Sequence, residues 1–232
     1  MTYIQILITV ISLEFIAAFA GLYHIRKYKT GTYTKQVVYV LFFVAISELI
    51  CTYATIAEYS DFKYFGFVKG TVFERNYWIH NIQLIITFSF FINYFRTRLR
   101  RGFVSQIIFY LVRIFIITAV LNLIFTDIYF LGISKYTYIT GSIFLLISIL
   151  VYYFELLKSD SLLHFNKSLT FYISVGLLIY YLCITPLFIY GNYYNSDSGD
   201  AFIKFYLYTL ACANLVMYGT ITAAFLLCKP NN

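Results

Sequence analysis

The chain consists of long apolar runs that alternate with short polar or charged segments. An α-helix rises ~1.5 Å per residue, so a run of about 20 apolar residues matches the hydrocarbon thickness of a bilayer. The pattern therefore predicts membrane-spanning helices, seven in all, near residues 3–25, 36–57, 77–95, 103–125, 137–157, 168–190 and 202–228.

The third run is the weakest of the seven, because the polar stretch NYWIHNIQ (residues 76–83) opens it. No polar segment between the runs is long enough for a soluble domain or a long linker. We therefore expect a single all-α membrane domain over residues 1–232, built from seven transmembrane helices.

The composition agrees with this pattern. Apolar residues make up 61% of the chain and charged residues 12%, whereas soluble domains are roughly 45–50% apolar and about 25% charged. The mean hydropathy is +0.78. These values indicate a membrane protein and exclude an ordinary soluble domain.

Lysine and arginine in short loops predict the orientation, because they are enriched on the cytoplasmic side of spanning proteins. If the N-terminus is outside, 11 of them fall on the inner side: Arg26, Lys27, Lys29, Lys35, Arg96, Arg98, Arg100, Arg101, Lys158, Lys167 and Lys229. The outer side then carries only Lys63, Lys69, Arg75, Lys135 and Lys204. We predict a multi-pass protein of the cytoplasmic (inner) membrane, with its N-terminus outside and its C-terminus inside.

The same distribution accounts for the net charge of +7. Basic residues at the inner face meet anionic lipid headgroups, so the expected partner is the bilayer and not nucleic acid. We interpret six of them as contacts to lipid or to a partner at the inner face: Arg26, Lys27, Arg96, Arg98, Arg100 and Arg101.

Four polar groups with a high free energy of insertion into hydrocarbon are predicted near one depth in the membrane. Arg113 in FYLVRIFIITAVLNLIF lies about ten residues, or ~15 Å, into the fourth span. The same arithmetic places Glu14 and Asn214 at ~16 Å and Glu48 at ~18 Å. An arginine at this depth costs about 2.5 to 3.5 kcal/mol on insertion scales, so we expect it to point into the bundle and find a carboxylate partner.

Polar side chains also recur on one face of the third span, at Asn76, His80, Gln83 and Thr87. The predicted ligand or ion site, open toward the outer face, comprises Glu14, Glu48, His80, Gln83, Arg113 and Asn214. The alternative interpretation is that these groups only hold helices together, at about 0.6 kcal/mol for an average hydrogen bond between spans.

Catalytic and metal signatures are missing from the sequence. The histidines lie in different regions with no second ligand at metal spacing, and there is neither a glycine-rich phosphate loop nor a nucleophile elbow. We expect no catalysis, no metal and no cofactor.

Two stretches carry a family resemblance: YYFELLKSDSLLHFNKSLTFYISVGLLIYY (residues 152–181) and ANLVMYGTITAAFLL (residues 213–227). They resemble a group of uncharacterised small seven-span proteins of Bacteroidetes, with an ELLKS-like motif before an aromatic I-S-x-G helix. The matching positions are Glu155, Leu156, Leu157, Lys158, Ser159, Phe171, Tyr172, Ile173, Ser174 and Gly176. The resemblance implies a sensor kinase as partner and assigns no site residue.

The leading hypothesis is a membrane sensor or receptor-like subunit, in which the polar layer receives a small ligand, ion or proton and a signalling partner receives the response. The alternative is a small-solute or proton-coupled transporter of three-plus-one-plus-three type. A shift of 132 residues, which aligns Arg26 with Lys158 and Cys51 with Cys183, is the weak repeat that supports it. The sequence specifies neither the ligand nor the oligomeric state.

Overall fold

The computed structural model describes residues 3–100, 102–159, 165, 167–190 and 199–228. Arg101 and Lys229, two of the predicted inner-face residues, lie outside this part of the chain. Within it all regular elements are helical: α1 (Tyr3–Lys27), α2 (Thr32–Tyr59), a 3₁₀ turn (Gly66–Val68), α3 (Tyr77–Arg96), α4 (Phe103–Phe125), α5 (Ile128–Leu131), α6 (Lys135–Leu157), α7 (Leu169–Tyr190) and α8 (Gly199–Leu227).

The seven long helices coincide with the seven predicted apolar runs to within a few residues at each end. The largest difference is α2, which extends the predicted run 36–57 to 28 residues, Thr32–Tyr59. At ~1.5 Å per residue this helix is longer than the ~30 Å hydrocarbon layer, so hydropathy marks only its apolar centre. The short helix α5 was not predicted.

Six of the described helices are long and apolar enough to cross a membrane: Ile4–Lys27, Thr32–Tyr59, Phe103–Phe125, Lys135–Leu157, Leu169–Tyr190 and Phe202–Leu227. The prediction of a helical membrane protein is confirmed at this level. Helix α3 forms as predicted but is not one of the six, because His80, Asn81 and Gln83 lower its hydropathy. Its role as a seventh span stays a prediction, as does the orientation.

The chain divides into two compact units. The first contains residues 1–45 and 153–232, and the second contains residues 46–152. In the first unit α8 packs against α1 and α7. In the second, α3 packs against α4 and the short α5.

Glycines mark the closest helix contacts of the first unit. A Cβ on Gly21 of α1 would lie 2.7 Å from Val38 Cγ2, and one on Gly176 of α7 would lie 3.0 Å from the Met217 carbonyl oxygen of α8. Small residues at such positions let backbones approach closely, which is a main source of helix association in lipid.

Aromatic packing positions α3 in the second unit. The Phe88 ring is fully buried and meets Phe115 of α4 at 6.2 Å and Tyr138 of α6 at 6.0 Å between centroids, both edge-on. A Cβ on Gly141 of α6 would collide with the same ring. Edge-on pairs contribute about 0.5 to 1.5 kcal/mol each beyond burial, so α3 is fixed by packing despite its polar start.

The α7–α8 contact predicts opposite effects for two alanine substitutions. Gly176→Ala should destabilise the protein by about 1 to 3 kcal/mol through overpacking. Gly219→Ala should leave stability unchanged or raise it by up to about 1 kcal/mol, because a Cβ on Gly219 meets no atom within 4 Å and alanine favours helix. Thermal unfolding in detergent measures both, and equal effects would contradict the close approach of α7 to α8.

Candidate ligand site

Glu48, His80 and Gln83 form a polar cluster between α2 and α3 of the second unit. The Gln83 side-chain amide donates a hydrogen bond of 3.1 Å to Glu48 Oε1. The His80 Nδ1 atom lies 3.5 Å from the same oxygen. His80 and Gln83 are three residues apart and share one face of α3, as the sequence pattern predicted. Half of the six predicted site residues are therefore brought together.

The cluster is partly accessible and rich in hydrogen-bond acceptors. The side chains of Glu48 and His80 are 21% and 22% exposed, whereas Gln83 is buried. Gln83 Oε1 and Thr87 Oγ1 are buried one turn apart on α3 with no hydrogen-bond partner in the described structure. No lysine or arginine of the described residues forms an ion pair with Glu48. This arrangement suits a small ligand that brings donors or a positive charge.

Glu14 and Asn214 belong to the first unit. Both are 4% exposed. The Tyr218 hydroxyl donates a hydrogen bond of 3.1 Å to Glu14 Oε1 and so links α8 to α1. The Asn214 amide donates to the Leu210 carbonyl of its own helix at 2.9 Å. The Tyr218–Glu14 bond is of the kind expected for groups that hold helices together, whereas the Asn214 bond stays within α8.

The structure contradicts the expectation for the Arg113 side chain. Its side chain is exposed, so the prediction that it points into the bundle is wrong, and Glu48 bonds to Gln83 and His80 instead of to this arginine. The guanidinium carbon lies 3.9 Å from the centroid of the Phe109 ring, four residues earlier on α4. Helical side chains lean toward the N-terminus, so the charge reaches back one turn and is stabilised over an aromatic face.

Asn81 is a buried polar residue that the sequence pattern did not single out. It is 0% exposed, and its side-chain nitrogen lies within 3.4 Å of the carbonyl oxygens of Ile128, Tyr129 and Gly132. Its side-chain oxygen accepts a hydrogen bond of 2.8 Å from the Ser134 backbone. Asn81 thus closes the connection between α4 and α6. Asn81 lies next to the stripe that includes His80 and Gln83, and this position in the sequence did not predict its role.

Three of the five described inner-face candidates, Lys27, Arg96 and Arg98, contact aromatic side chains. Lys27 donates to the Tyr23 hydroxyl at 3.0 Å, and the Arg98 guanidinium lies 4.9 Å from the Tyr94 ring centroid. Arg96 lies 4.9 Å from the Phe109 centroid. Arg26 and Arg100 are exposed. Basic residues beside tyrosine and phenylalanine are typical of a membrane–water interface.

The described residues contain no group of three or more histidine, cysteine, aspartate or glutamate side chains that could hold a metal ion. His24 is buried, and its Nδ1 atom lies 2.8 Å from the Phe225 carbonyl oxygen. This contact joins α1 to α8 and is explained by packing.

Comparisons with protein-family models, with curated proteins and with solved structures give no significant match to this chain. The resemblance to the Bacteroidetes group therefore stays a prediction. The Glu48 cluster and the exposed Arg113 are the two features of the geometry that bear on function.

The buried amide network predicts a large effect for Asn81→Leu. The substitution would leave the Ser134 N–H and the Gly132 carbonyl oxygen without the partner that Asn81 supplies, at about 1 to 3 kcal/mol for each orphaned group. Thermal unfolding and protease cleavage between residues 126 and 134 should both report the loss. Gln106→Leu, on the exposed surface of α4, is the control and should behave as wild type; equal stability of the two variants would refute the structural role.

Proposed function

We propose that the chain is a seven-helix membrane sensor or receptor-like subunit, with α3 as the seventh span and the N-terminus outside. The 20 residues of α3 give a length of about 30 Å, enough to cross the hydrocarbon layer. Burial of Phe88 between α4 and α6 supports a position inside the bundle. The excess of basic residues in the alternate loops supports the orientation.

The Glu48 cluster is the observation that carries this proposal. Ionisable groups within spans are costly and generally mark a ligand, ion or proton site. Glu48 has a histidine and an amide as its partners and no lysine or arginine, while the acceptors on Gln83 and Thr87 are unused. A small organic cation that carries N–H donors would supply both a positive charge and the missing hydrogen bonds.

Ligand-induced stabilisation tests the site. Ammonium, methylammonium and a short diamine should each be titrated against the purified protein during thermal unfolding. A cation that fits should stabilise the protein by about 2.7 kcal/mol at one hundred times its Kd. Glu48→Gln should lose the effect.

The matched control is Glu58→Gln, on the same helix. Glu58 is exposed and pairs with Arg75 at 3.0 Å, so its neutralisation should leave the response intact. Identical responses in the two variants would show that Glu48 does not form the site.

Arg113 supports the second half of the proposal, a membrane partner. Only 22% of its span is buried, the lowest share of the six, and an arginine that faces lipid is costly unless a carboxylate meets it. We propose that α4 contacts a partner helix that carries an acidic residue at this depth. The resemblance to the Bacteroidetes group suggests that this partner is a sensor kinase or a related signalling protein.

Replacement of Arg113 should separate partner binding from insertion. Arg113→Leu should insert normally but lose partners recovered by crosslinking and co-purification from native membranes, because the charge is gone. Arg113→Lys keeps the charge and should retain part of the recovery. Full recovery of the same partner with Arg113→Leu would contradict a charge-based interface.

Flux measurements distinguish the sensor from the transporter alternative, which would use the same cluster as a substrate site. Proteoliposomes reconstituted with the wild-type protein should not accumulate the cation that stabilises it. They should also not conduct protons across the vesicle membrane. Uptake that depends on Glu48 would replace the sensor proposal with the transporter.

A further inference from the structure

The second unit contains a cavity of about 630 Å³ between α2 and the connection from α2 to α3. We call it the loop cavity. Its lining includes Leu49, Ile50 and Ile56 of α2, Phe65 and Phe67 of the connection, and Trp78 of α3. The volume falls within the roughly 300 to 1,000 Å³ typical of small-molecule sites. Its lining does not include Glu48, His80 or Gln83, so it is separate from the cluster described above.

The polar groups of the lining are already engaged within the protein. The Tyr53 hydroxyl donates to the Phe73 carbonyl oxygen at 2.6 Å and lies 3.3 Å from the Trp78 Nε1 donor. The Thr52 and Thr71 hydroxyls each donate to a carbonyl three residues earlier, at 2.7 Å. A polar ligand would displace these bonds, whereas a hydrocarbon would not. The cavity is therefore matched to an apolar occupant.

One wall of the loop cavity is continuous with the lipid-facing surface of α2. Leu49, Ile50 and Ile56 are 50%, 55% and 44% exposed on this spanning helix. Phe67, on the connection, is 81% exposed. A hydrocarbon chain in the surrounding bilayer can reach the cavity along α2 without crossing water.

The connection from α2 to α3 has a specific backbone shape. Asp61, Phe62 and Phe65 adopt the left-handed conformation, with φ of 48°, 60° and 59°. Non-glycine residues in this region cost of order 1–3 kcal/mol each unless their surroundings hold them. Backbone hydrogen bonds help to hold them, because the Phe62 N–H donates to the Ala57 carbonyl oxygen at 2.8 Å and the Val68 N–H donates to the Phe65 carbonyl oxygen at 3.0 Å. Of the three residues Phe65 lines the cavity, so this bend shapes part of its wall.

Two lysines on the same connection supply positive charge. The Lys63 ammonium lies 5.9 Å from the Tyr64 ring centroid and that of Lys69 lies 5.1 Å from the Phe62 centroid. Neither forms an ion pair with a carboxylate in the described structure. Lysine side chains bind phosphate groups as point charges.

We infer that the loop cavity binds one acyl chain of a phospholipid, from the leaflet that the connection faces, with Lys63 and Lys69 against its phosphate. The engaged polar lining, the continuity with the lipid-facing surface of α2 and the unpaired lysines each favour this occupant over a polar metabolite.

Trp78 is the one tryptophan of the chain, so its fluorescence reports on the cavity directly. The full-length protein in detergent should be titrated with a phosphatidylglycerol whose acyl chains carry dibromide labels, which quench tryptophan on contact. Quenching should saturate at one lipid per protein. A dibrominated diacylglycerol, which lacks the phosphate, should bind more weakly.

Filling the cavity should weaken binding of the brominated lipid about tenfold, a change of 1.4 kcal/mol. The double variant Ile50→Phe with Ile56→Phe fills the cavity by enlarging two side chains that line it. Ile46→Phe, also exposed on α2 but outside the lining, is the matched control and should bind as wild type. Lys63→Gln with Lys69→Gln should abolish the preference for the phospholipid over the diacylglycerol.

Several results would overturn the inference. Quenching that rises without saturation would show only general contact with lipid, and equal quenching in the filled variant and in Ile46→Phe would remove the cavity from the explanation. Conversion of a dimer to a monomer by the filled variant, measured by light scattering, would assign the cavity to a second copy of the chain.

Discussion

The hydrocarbon of a bilayer offers no hydrogen-bond partner, and the structure depends on this constraint throughout. Backbone groups satisfy it by forming helices, so the described secondary structure is helical. Side chains satisfy it one by one: Tyr218 bonds Glu14, Gln83 bonds Glu48, and Asn81 bonds the connection between α4 and α6. The Glu48 cluster and Arg113 are two of the places where the constraint is incompletely met, and there we place the proposed input and output of the protein.

Hydropathy and charge predicted the long helices well, because the length of an apolar run and its bounding charges are local properties of the sequence. The shared helix face of His80 and Gln83 was also predicted, whereas Glu48 was expected to meet Arg113. The direction in which the Arg113 side chain points was not predicted correctly. Depth follows from residue counts, but the side of α4 that meets lipid depends on how α4 packs, which residue counts do not contain.

The pattern of apolar and polar residues did not predict two further features, for different reasons. Asn81 acts on the backbone of residues about fifty positions away, and no periodicity encodes such a contact. The loop cavity is lined by Phe65, which belongs to a bend with three left-handed residues, Asp61, Phe62 and Phe65. This conformation is an outlier for a bulky residue such as phenylalanine. Both features lie around the start of α3, as does the Glu48 cluster, so the most polar of the long helices also organises the candidate sites.

The position of α3 in the membrane is the central claim, because His80 and Gln83 form an intramembrane site only if α3 crosses. Single cysteines at Lys69 and at Arg98, introduced after replacement of the four native cysteines, should be labelled in intact cells with a membrane-impermeant maleimide. A crossing α3 predicts that position 69 is labelled from outside and that position 98 reacts only after the membrane is opened. Labelling of both positions from the same side would contradict the seven-span architecture and the site built on it.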